Sequence, residues 1–274
     1  MSKGSARLDQ ALVERGLALS RAIAQELIGS GQVLVNGSTA EKAARRIFRS
    51  DQLAVTKKNR FVGRGGEKLE GALDDFGLTP AGWTCMDIGS STGGFVDCLL
   101  QRGAELVVAI DVGRAQLDSR LRTNQRVIVL EQTDIRGFVP SDPIPKSYDL
   151  VTADLSFISI RSVVDDLYRI CSPNSRCQLV ILVKPQFEVG HRDASRAKGV
   201  IKDPSLWGSV LLDAAELLRG VGFRVGGMVP SRLRGAAGNQ EFFICATVGT
   251  VETVDHFPFD ALVDSAVAAV PNRP

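Results

Sequence analysis

The chain has 274 residues, 44% hydrophobic and 23% charged, which is enough apolar material for a self-supporting core and enough length for one large domain and one small one. Its five cysteines (Cys85, Cys98, Cys171, Cys177, Cys245) are scattered, form no CxxC pair and lie apart from the two histidines, His191 and His256; this argues against a disulfide scaffold and a metal site, and for reduced thiols in a cytoplasmic protein. The net charge is only +2, but residues 1–60 hold eleven Lys and Arg against five Asp and Glu, as expected of a basic appendage for a polyanion beside a mildly acidic body.

In chain order, Arg7–Arg15 places Leu8, Ala11 and Leu12 at helical spacing and Gly16 ends the run. Ser20 is an N-cap candidate for a second helix over Arg21–Ile28, with Ile23, Leu27 and Ile28 on one face. Gly29 and Gly31 stop it, and Val33-Leu34-Val35 followed by Asn36-Gly37 predicts a short strand and a tight hairpin turn. The features Arg7-Leu8-Asp9, Gly16, Ser20-Arg21 and Val33–Gly37 resemble the S-four RNA-binding fold. That resemblance implies RNA-backbone contacts from Arg7, Arg21 and Lys42, where basic side chains pair with phosphates and give affinity rather than base reading.

A polar, basic linker is expected at Thr56–Arg60. From Phe61 the pattern alternates. Strand candidates are Thr84–Ile88, Leu106–Asp111, Val127–Leu130, Asp149–Asp154, Gln178–Val183, Arg224–Val229 and Phe242–Val248, with amphipathic stretches such as Gly94–Arg102 and Leu206–Arg219 between them. Repeated βα units predict an α/β domain, a parallel sheet with helices on both faces. The domain division expected is 1–60, 61–250 and a partly apolar, helical tail over 251–274.

The stretch Asp87-Ile88-Gly89-Ser90-Ser91-Thr92-Gly93-Gly94-Phe95 follows the first of these strands and opens a helix. Glycines there let backbone approach a ligand, and the helix N-terminus offers free N–H groups. Asp111, at the end of the next strand, is placed to accept hydrogen bonds from ribose hydroxyls. A dinucleotide site would show GxGxxG for a pyrophosphate; here Asp87 comes first, which suits a cationic amino acid moiety. The motif resembles S-adenosylmethionine-dependent methyltransferases, and more narrowly the FtsJ-like RNA 2′-O-methyltransferases. By that resemblance the cofactor is held by Asp87, Gly89, Ser91, Thr92, Gly93, Gly94, Phe95, Asp111 and, near adenine, Asp134.

Four further residues stand at strand ends or beside them. Lys68 lies in Arg64-Gly65-Gly66-Glu67-Lys68, Asp154 in Ala153-Asp154-Leu155-Ser156-Phe157, Lys184 in Val183-Lys184-Pro185-Gln186-Phe187-Glu188, and Glu241 in Gly238-Asn239-Gln240-Glu241. In an open α/β sheet ligands bind beyond the carboxyl ends of the parallel strands, so all four are expected to converge, provided the last strand runs the opposite way. A ribose 2′-hydroxyl needs its proton removed, and two neighbouring lysines disfavour each other's charge while acids orient them. The set resembles the Lys-Asp-Lys-Glu tetrad of the FtsJ-like enzymes, which implies Lys184 as base and Lys68, Asp154 and Glu241 as orienting groups. Arg64 is a further RNA-contact candidate.

The whole order is similar to the TlyA family, also called haemolysin A-type, over about Arg7 to Val248. The family implies a Rossmann-like methyltransferase domain behind a small α+β RNA-binding domain, and 2′-O-methylation of cytidine in ribosomal RNA or ribosomal subunits. Two departures stand out: Ala115 in Arg114-Ala115-Gln116-Leu117 where glycine is expected, and Arg232-Leu233-Arg234-Gly235, which lacks a proline and adds charge. Rival functions fare worse. A membrane-active haemolysin would need a span, a leader or a lytic helix, and none is read here. Amine methylation lacks its Asn/Asp-Pro-Pro-aromatic motif, pyrimidine carbon methylation lacks a Pro-Cys, and a non-catalytic S-adenosylmethionine-binding factor leaves the four charged residues without a use. The sequence leaves the oligomeric state open.

Overall fold

In the N-terminal segment the apolar residues gather where two short helices meet a small sheet. β1 (Ala6–Arg7) leads into α1 (Leu8–Glu14) and α2 (Arg21–Gly29), followed by β2 (Val33–Val35), β3 (Ser38–Thr39), β4 (Arg46–Ile47) and β5 (Leu53–Val55). Leu8, Leu12, Ala24, Ile28, Val33, Val35 and Ile47 form its core. Ser20 caps α2, its Oγ accepting from the Ile23 amide at 3.3 Å. Asn36 and Gly37 both take positive φ (53° and 81°) and close a two-residue hairpin between β2 and β3, the twist-matched turn that Asn-Gly favours. One expectation fails: Ile23 is exposed rather than on the buried face, and Ala24 takes its place in the core. The register of the helix is set by Ala24 and Ile28, one turn apart.

This computed structural model describes residues 5–29, 31–40, 42–56, 60–189, 199–235, 237–249 and 258–271. Most of the linker read at Thr56–Arg60, both histidines, and Gly190 lie outside the described residues. The chain divides into two units, Met1–Arg60 and Phe61–Pro274.

The second unit is built on a seven-stranded sheet ordered β11-β12-β10-β9-β6-β7-β8, with β6 (Thr84–Ile88), β7 (Leu106–Asp111), β8 (Val127–Glu131), β9 (Leu150–Ala153), β10 (Gln178–Val183), β11 (Phe223–Pro230) and β12 (Phe242–Val248). The first five in this list run parallel, and β12 runs antiparallel to both of its neighbours, β10 and β11. Alternation along the strands divides the core. Met86, Ile88, Val151, Leu179 and Ile181 pack on one face beneath α6 (Val164–Cys171), α8 (Pro204–Gly220) and α9 (Asp260–Ala268). Cys85, Val107, Leu150, Val180 and Phe243 pack on the other, under α3 (Arg64–Asp75) and α4 (Gly94–Gln101). Two short helices, α5 (Ser119–Arg122) and α7 (Pro185–Glu188), flank the carboxyl edge. All five cysteines are buried free thiols.

β6 continues outward on one side to β7 and β8, and the chain then returns to lay β9 and β10 on the other. The strand order therefore reverses between β6 and β9. In an open α/β sheet the carboxyl ends flanking such a reversal form the crevice where ligands bind.

Candidate active site

The crevice is closely built. Gly89 leaves β6 with φ of 78°, and a Cβ there would stand 2.6 Å from the carbonyl oxygen of Asp154, which follows β9. Gly94 opens α4 so close to α3 that a Cβ would stand 2.9 Å from the Gly66 amide nitrogen. Glycine is what lets the two walls of the crevice meet. The turn is held from β7: Asp111 accepts from the amides of Ser91 (2.7 Å) and Gly113 (2.6 Å).

Two adjoining hollows result. A cleft of about 670 Å³ is lined by Ser91, Asp111, Val112, Asp134, Ile135, Asp154, Leu155 and Phe157 among others. A smaller one of about 120 Å³ is lined by Asp87, Arg64, Ser90, Thr92, Gly94 and Phe95, and the two share Gly89, Ser91 and Asp154. Phe95 also packs on Phe243, so its ring serves the core as much as the hollow. Asp134 faces the large cleft and pairs with Arg136 at its rim. Gly93, with φ of 97°, lies behind the turn against Leu117 and Leu121.

Asp87 is the charged residue at the base. It is fully buried; Thr152 Oγ1 donates to its Oδ1 at 2.7 Å, and its Oδ2 has no hydrogen-bond partner. Burial, reinforced by Asp154 and Asp111, pushes its carboxyl up to about 8, against the pull of the Thr152 hydrogen bond. An orphaned buried carboxylate oxygen opening on a hollow is a site for a cation.

The tetrad candidates form two ion pairs. Lys68 Nζ donates to Glu241 Oε2 at 2.5 Å, and both side chains are buried. Lys184 Nζ lies 2.6 Å from Asp154 Oδ1, but the angle is not that of a hydrogen bond; its well-formed bond goes to Ser156 Oγ at 2.7 Å. Register explains the gathering. Val183 faces Phe242 across the antiparallel pair, so Lys184 and Glu241 are the next residues out on adjacent strands, and Asp154 ends the strand on the other side of β10. Asn239 and Gln240 are structural: the Asn239 amide bridges Gly199 and Ile201 (both 2.8 Å), and Gln240 Nε2 donates to the Ser231 and Glu241 carbonyls.

Four basic candidates remain. Arg64 Nη2 donates to the Arg234 carbonyl at 2.9 Å. In the first unit, Arg7 and Arg21 both donate to the buried Asp9, at 3.0–3.2 Å and 2.9 Å, joined by Gln25 at 2.9 Å. Arg7 foremost, with Gln25 and Arg21, holds the Asp9 carboxyl far below the usual range. Lys42 is exposed on a shallow hollow with Thr39, Ala44 and Arg45.

Sequence reasoning missed three groups. Phe157 is 91% exposed with φ of 64° and stacks near Phe187; an aromatic held in that strained region next to charged groups is a signature of function visible only in the backbone. Ser156, whose hydroxyl Lys184 contacts, has nothing in the sequence beyond its motif to single it out. Glu131 accepts from the amides of Ala115 (2.7 Å), Gln116 (3.0 Å) and Leu117 (3.3 Å) and from Arg122, and Arg122 first, then those amides, pull it down to about 2. It fixes the loop where alanine replaces the expected glycine, and Ala115 indeed has a positive φ of 53°.

Among the described residues no group of three or more His, Cys, Asp or Glu is placed to hold a metal, and no helix is long and apolar enough to cross a membrane. An orphaned acid at the base of a glycine-rich turn, with a second acid one strand over, meets the needs of a cofactor that carries both an ammonium and ribose hydroxyls; the fold around it defines an S-adenosylmethionine-dependent methyltransferase. Residues 61–248 match the FtsJ-like methyltransferase family and residues 6–53 the S4 domain. The chain is 41% identical over 268 residues to a Mycobacterium tuberculosis protein named 16S/23S rRNA (cytidine-2′-O)-methyltransferase TlyA, covering 97% of this chain and 98% of that one. It is 38% identical to Hemolysin A of Brachyspira hyodysenteriae, covering 86% and 97%. A solved structure of a putative hemolysin from Streptococcus thermophilus superposes with a TM-score of 0.70 at 33% identity over 98% of each chain. The chain belongs to the TlyA family of FtsJ-like methyltransferases.

Proposed function

We propose that the protein methylates the 2′-hydroxyl of a cytidine in ribosomal RNA, in the cytoplasm, with residues 1–60 holding the RNA, 61–250 performing the transfer and 251–274 a tail whose helix Asp260–Ala268 packs on that domain. The nucleotide and the ribosomal substrate follow from the names of its relatives; the chemistry rests on the site. One observation carries it: Lys184 Nζ stands 2.6 Å from Asp154 and already donates to a hydroxyl, that of Ser156, at the lip of the cofactor turn.

When bound, S-adenosylmethionine supplies a methyl group made electrophilic by its sulfonium. Asp87 Oδ2 would receive the ammonium of its amino acid portion, and Asp111 its ribose hydroxyls; Ser91 and Thr92 would line the turn with Gly93 behind them, and Asp134 would border the adenine. Lys184, as the free amine, would accept the proton of the attacking 2′-hydroxyl as its oxygen takes the methyl group, and the ammonium so formed would rest on Asp154 and Ser156. Asp154 orients Lys184, and Glu241 and Lys68 hold each other beside the substrate oxygen. Positioning of this kind supplies a large share of the rate. The exposed face of Phe157, at the mouth, suits a nucleobase. Arg7, Arg21, Lys42 and Arg64 contribute phosphate contacts.

The test is transfer of labelled methyl from S-adenosylmethionine to undermethylated ribosomal subunits and to free RNA, wild type against Lys184→Ala. Labelling at a 2′-hydroxyl that the variant loses supports the reading. Equal labelling by both proteins removes Lys184 as the base, and no labelling by the wild type, despite cofactor binding, leaves a non-catalytic factor.

A further inference from the structure

Lys184 and Asp154 belong to two short segments that are tied at three points. Lys184 Nζ meets Asp154 and Ser156. The ring of Phe187 lies 5.1 Å from that of Phe157. At the far end of α7, one turn beyond Lys184, Glu188 takes both ends of a two-pronged contact: Ser159 Oγ donates to its Oε2 at 2.7 Å and the Ile160 amide to its Oε1 at 3.0 Å.

Within the segment between, Leu155 and Ile158 pack against the core, while Ser156 and Phe157 have no such anchor. Asp154 is anchored by its amide, which donates to the Ile88 carbonyl at 2.9 Å, and Ile160 is buried. From Asp154 to Ile160 the chain runs along the rim with Ser156 and Phe157 exposed and Phe157 in the left-handed region. A bulky residue stays there only where its surroundings over-determine the backbone. The far end of that constraint is supplied by Glu188. Its carboxyl is half-buried, and burial pushes it up while Ser159, Ile160 and Arg161 pull it down, so the group is held there at some cost to its charge. A plain surface acid would not be.

We propose that Glu188 is a positioning residue for methyl transfer: by pinning Ser159 and Ile160 to α7, it fixes the rim segment that presents Asp154 and Ser156 to Lys184. This rests on the function proposed above. It makes a demand on reach rather than on charge. Glutamine at 188 keeps the geometry, its carbonyl accepting from Ile160 and its amide donating to Ser159 Oγ. Aspartate keeps the charge and is one methylene too short.

The experiment compares Glu188→Ala, Glu188→Gln, Glu188→Asp and Ser159→Ala with wild type in the full-length protein. Single-turnover methyl transfer to ribosomal RNA is measured at saturating cofactor and RNA, with thermal melting as the check on folding. Hydrogen exchange over residues 154–162 is measured without RNA. The expected result is a rate reduced roughly 10- to 100-fold for the alanine and aspartate variants, near-wild-type rate for glutamine, and faster exchange of the Ile160 amide in the slow variants only. Ser159→Ala, a smaller cut that leaves the fold intact, lowers the rate in the same direction. A wild-type rate in Glu188→Ala or Ser159→Ala overturns the proposal, as does a glutamine variant as slow as alanine, which would make the charge the active element. If wild type transfers no methyl, the function proposed above fails; the exchange measurement then still decides whether Glu188 pins the segment.

Discussion

At the scale of single residues, the site is a set of buried charges whose partners can be exchanged separately. Asp87 makes the clearest pH prediction. Its folded-state carboxyl sits at about 8 against an unfolded value of roughly 4. Between those two values the folded chain binds the extra proton. Stability without cofactor therefore falls as pH rises from about 4 to about 8 and levels off above. Asp87→Asn keeps the acceptor for Thr152 and has no proton to lose. Its melting temperature is expected to lie above wild type at pH 7–8, with a flatter profile, while its cofactor affinity is weaker; parallel melting curves from pH 5 to 8 would contradict this. The Lys68–Glu241 pair makes a second prediction. Lys68→Met leaves Glu241 charged and alone in a buried place, a loss of about 3–5 kcal/mol. Adding Glu241→Gln should recover most of the stability, read by urea unfolding, and none of the methyl transfer. A double variant no more stable than the single one would show that the pair is not coupled.

At the scale of elements, the crevice depends on close approaches and on loops held from neighbouring strands. Glu131, at the end of β8, latches the Ala115–Leu117 loop. Ala115 sits there at φ 53°, where an L-residue other than glycine carries a cost of about 1 kcal/mol. Ala115→Gly should raise the unfolding midpoint by a corresponding amount, net of the entropy glycine adds to the unfolded chain, and leave cofactor affinity intact; a lowered midpoint would mean that the Ala115 methyl is needed. Elements of this kind differ in how far they could be read from residues alone. Thr84–Ile88, Leu106–Asp111, Gln178–Val183 and Phe242–Val248 are apolar runs between polar or glycine boundaries, and the structure gives the same limits. The helix Arg64–Asp75 escaped, because Arg-Gly-Gly-Glu is a poor helix opening by propensity; packing against α4 through Gly66 and Gly94 is what makes it one. Asp154, Lys184 and Glu241 are legible as charges at strand ends; Lys68 stands on the helix Arg64–Asp75 and is singled out only by the family resemblance. Which lysine pairs with which acid is not legible, because that is fixed by the register of β10 with β12 and of β10 with β9. Nor is the strain at Phe157, since φ has no signature in the sequence.

At the scale of the whole molecule, a basic S4 unit is joined to a mildly acidic methyltransferase unit, and the function proposed above divides affinity from chemistry between them. Lys42→Glu and Arg21→Glu are expected to raise the KM for ribosomal RNA and reduce the slope of log affinity on log salt by about 1 per lost phosphate contact, with cofactor affinity unchanged. An unchanged salt slope would remove these residues from the RNA interface. Arg21 should show the larger secondary effect on folding, since it shares Asp9 with Arg7 and Gln25. The antiparallel placing of β12 has a consequence in time. Lys68 and its partner Glu241 are 173 residues apart, and the acid arrives on a strand that starts, rather than ends, at the crevice. During synthesis domains fold as units, and β6 to β10 leave the ribosome well before Glu241 and β12, which lies inside their sheet. Because β12 lies between β10 and β11 and carries Phe242 and Phe243 into the two halves of the core, a chain cut short before residue 241 loses its last charged residue and an inner strand of the sheet at once, so that the sheet and its charged rim are completed together, late in translation.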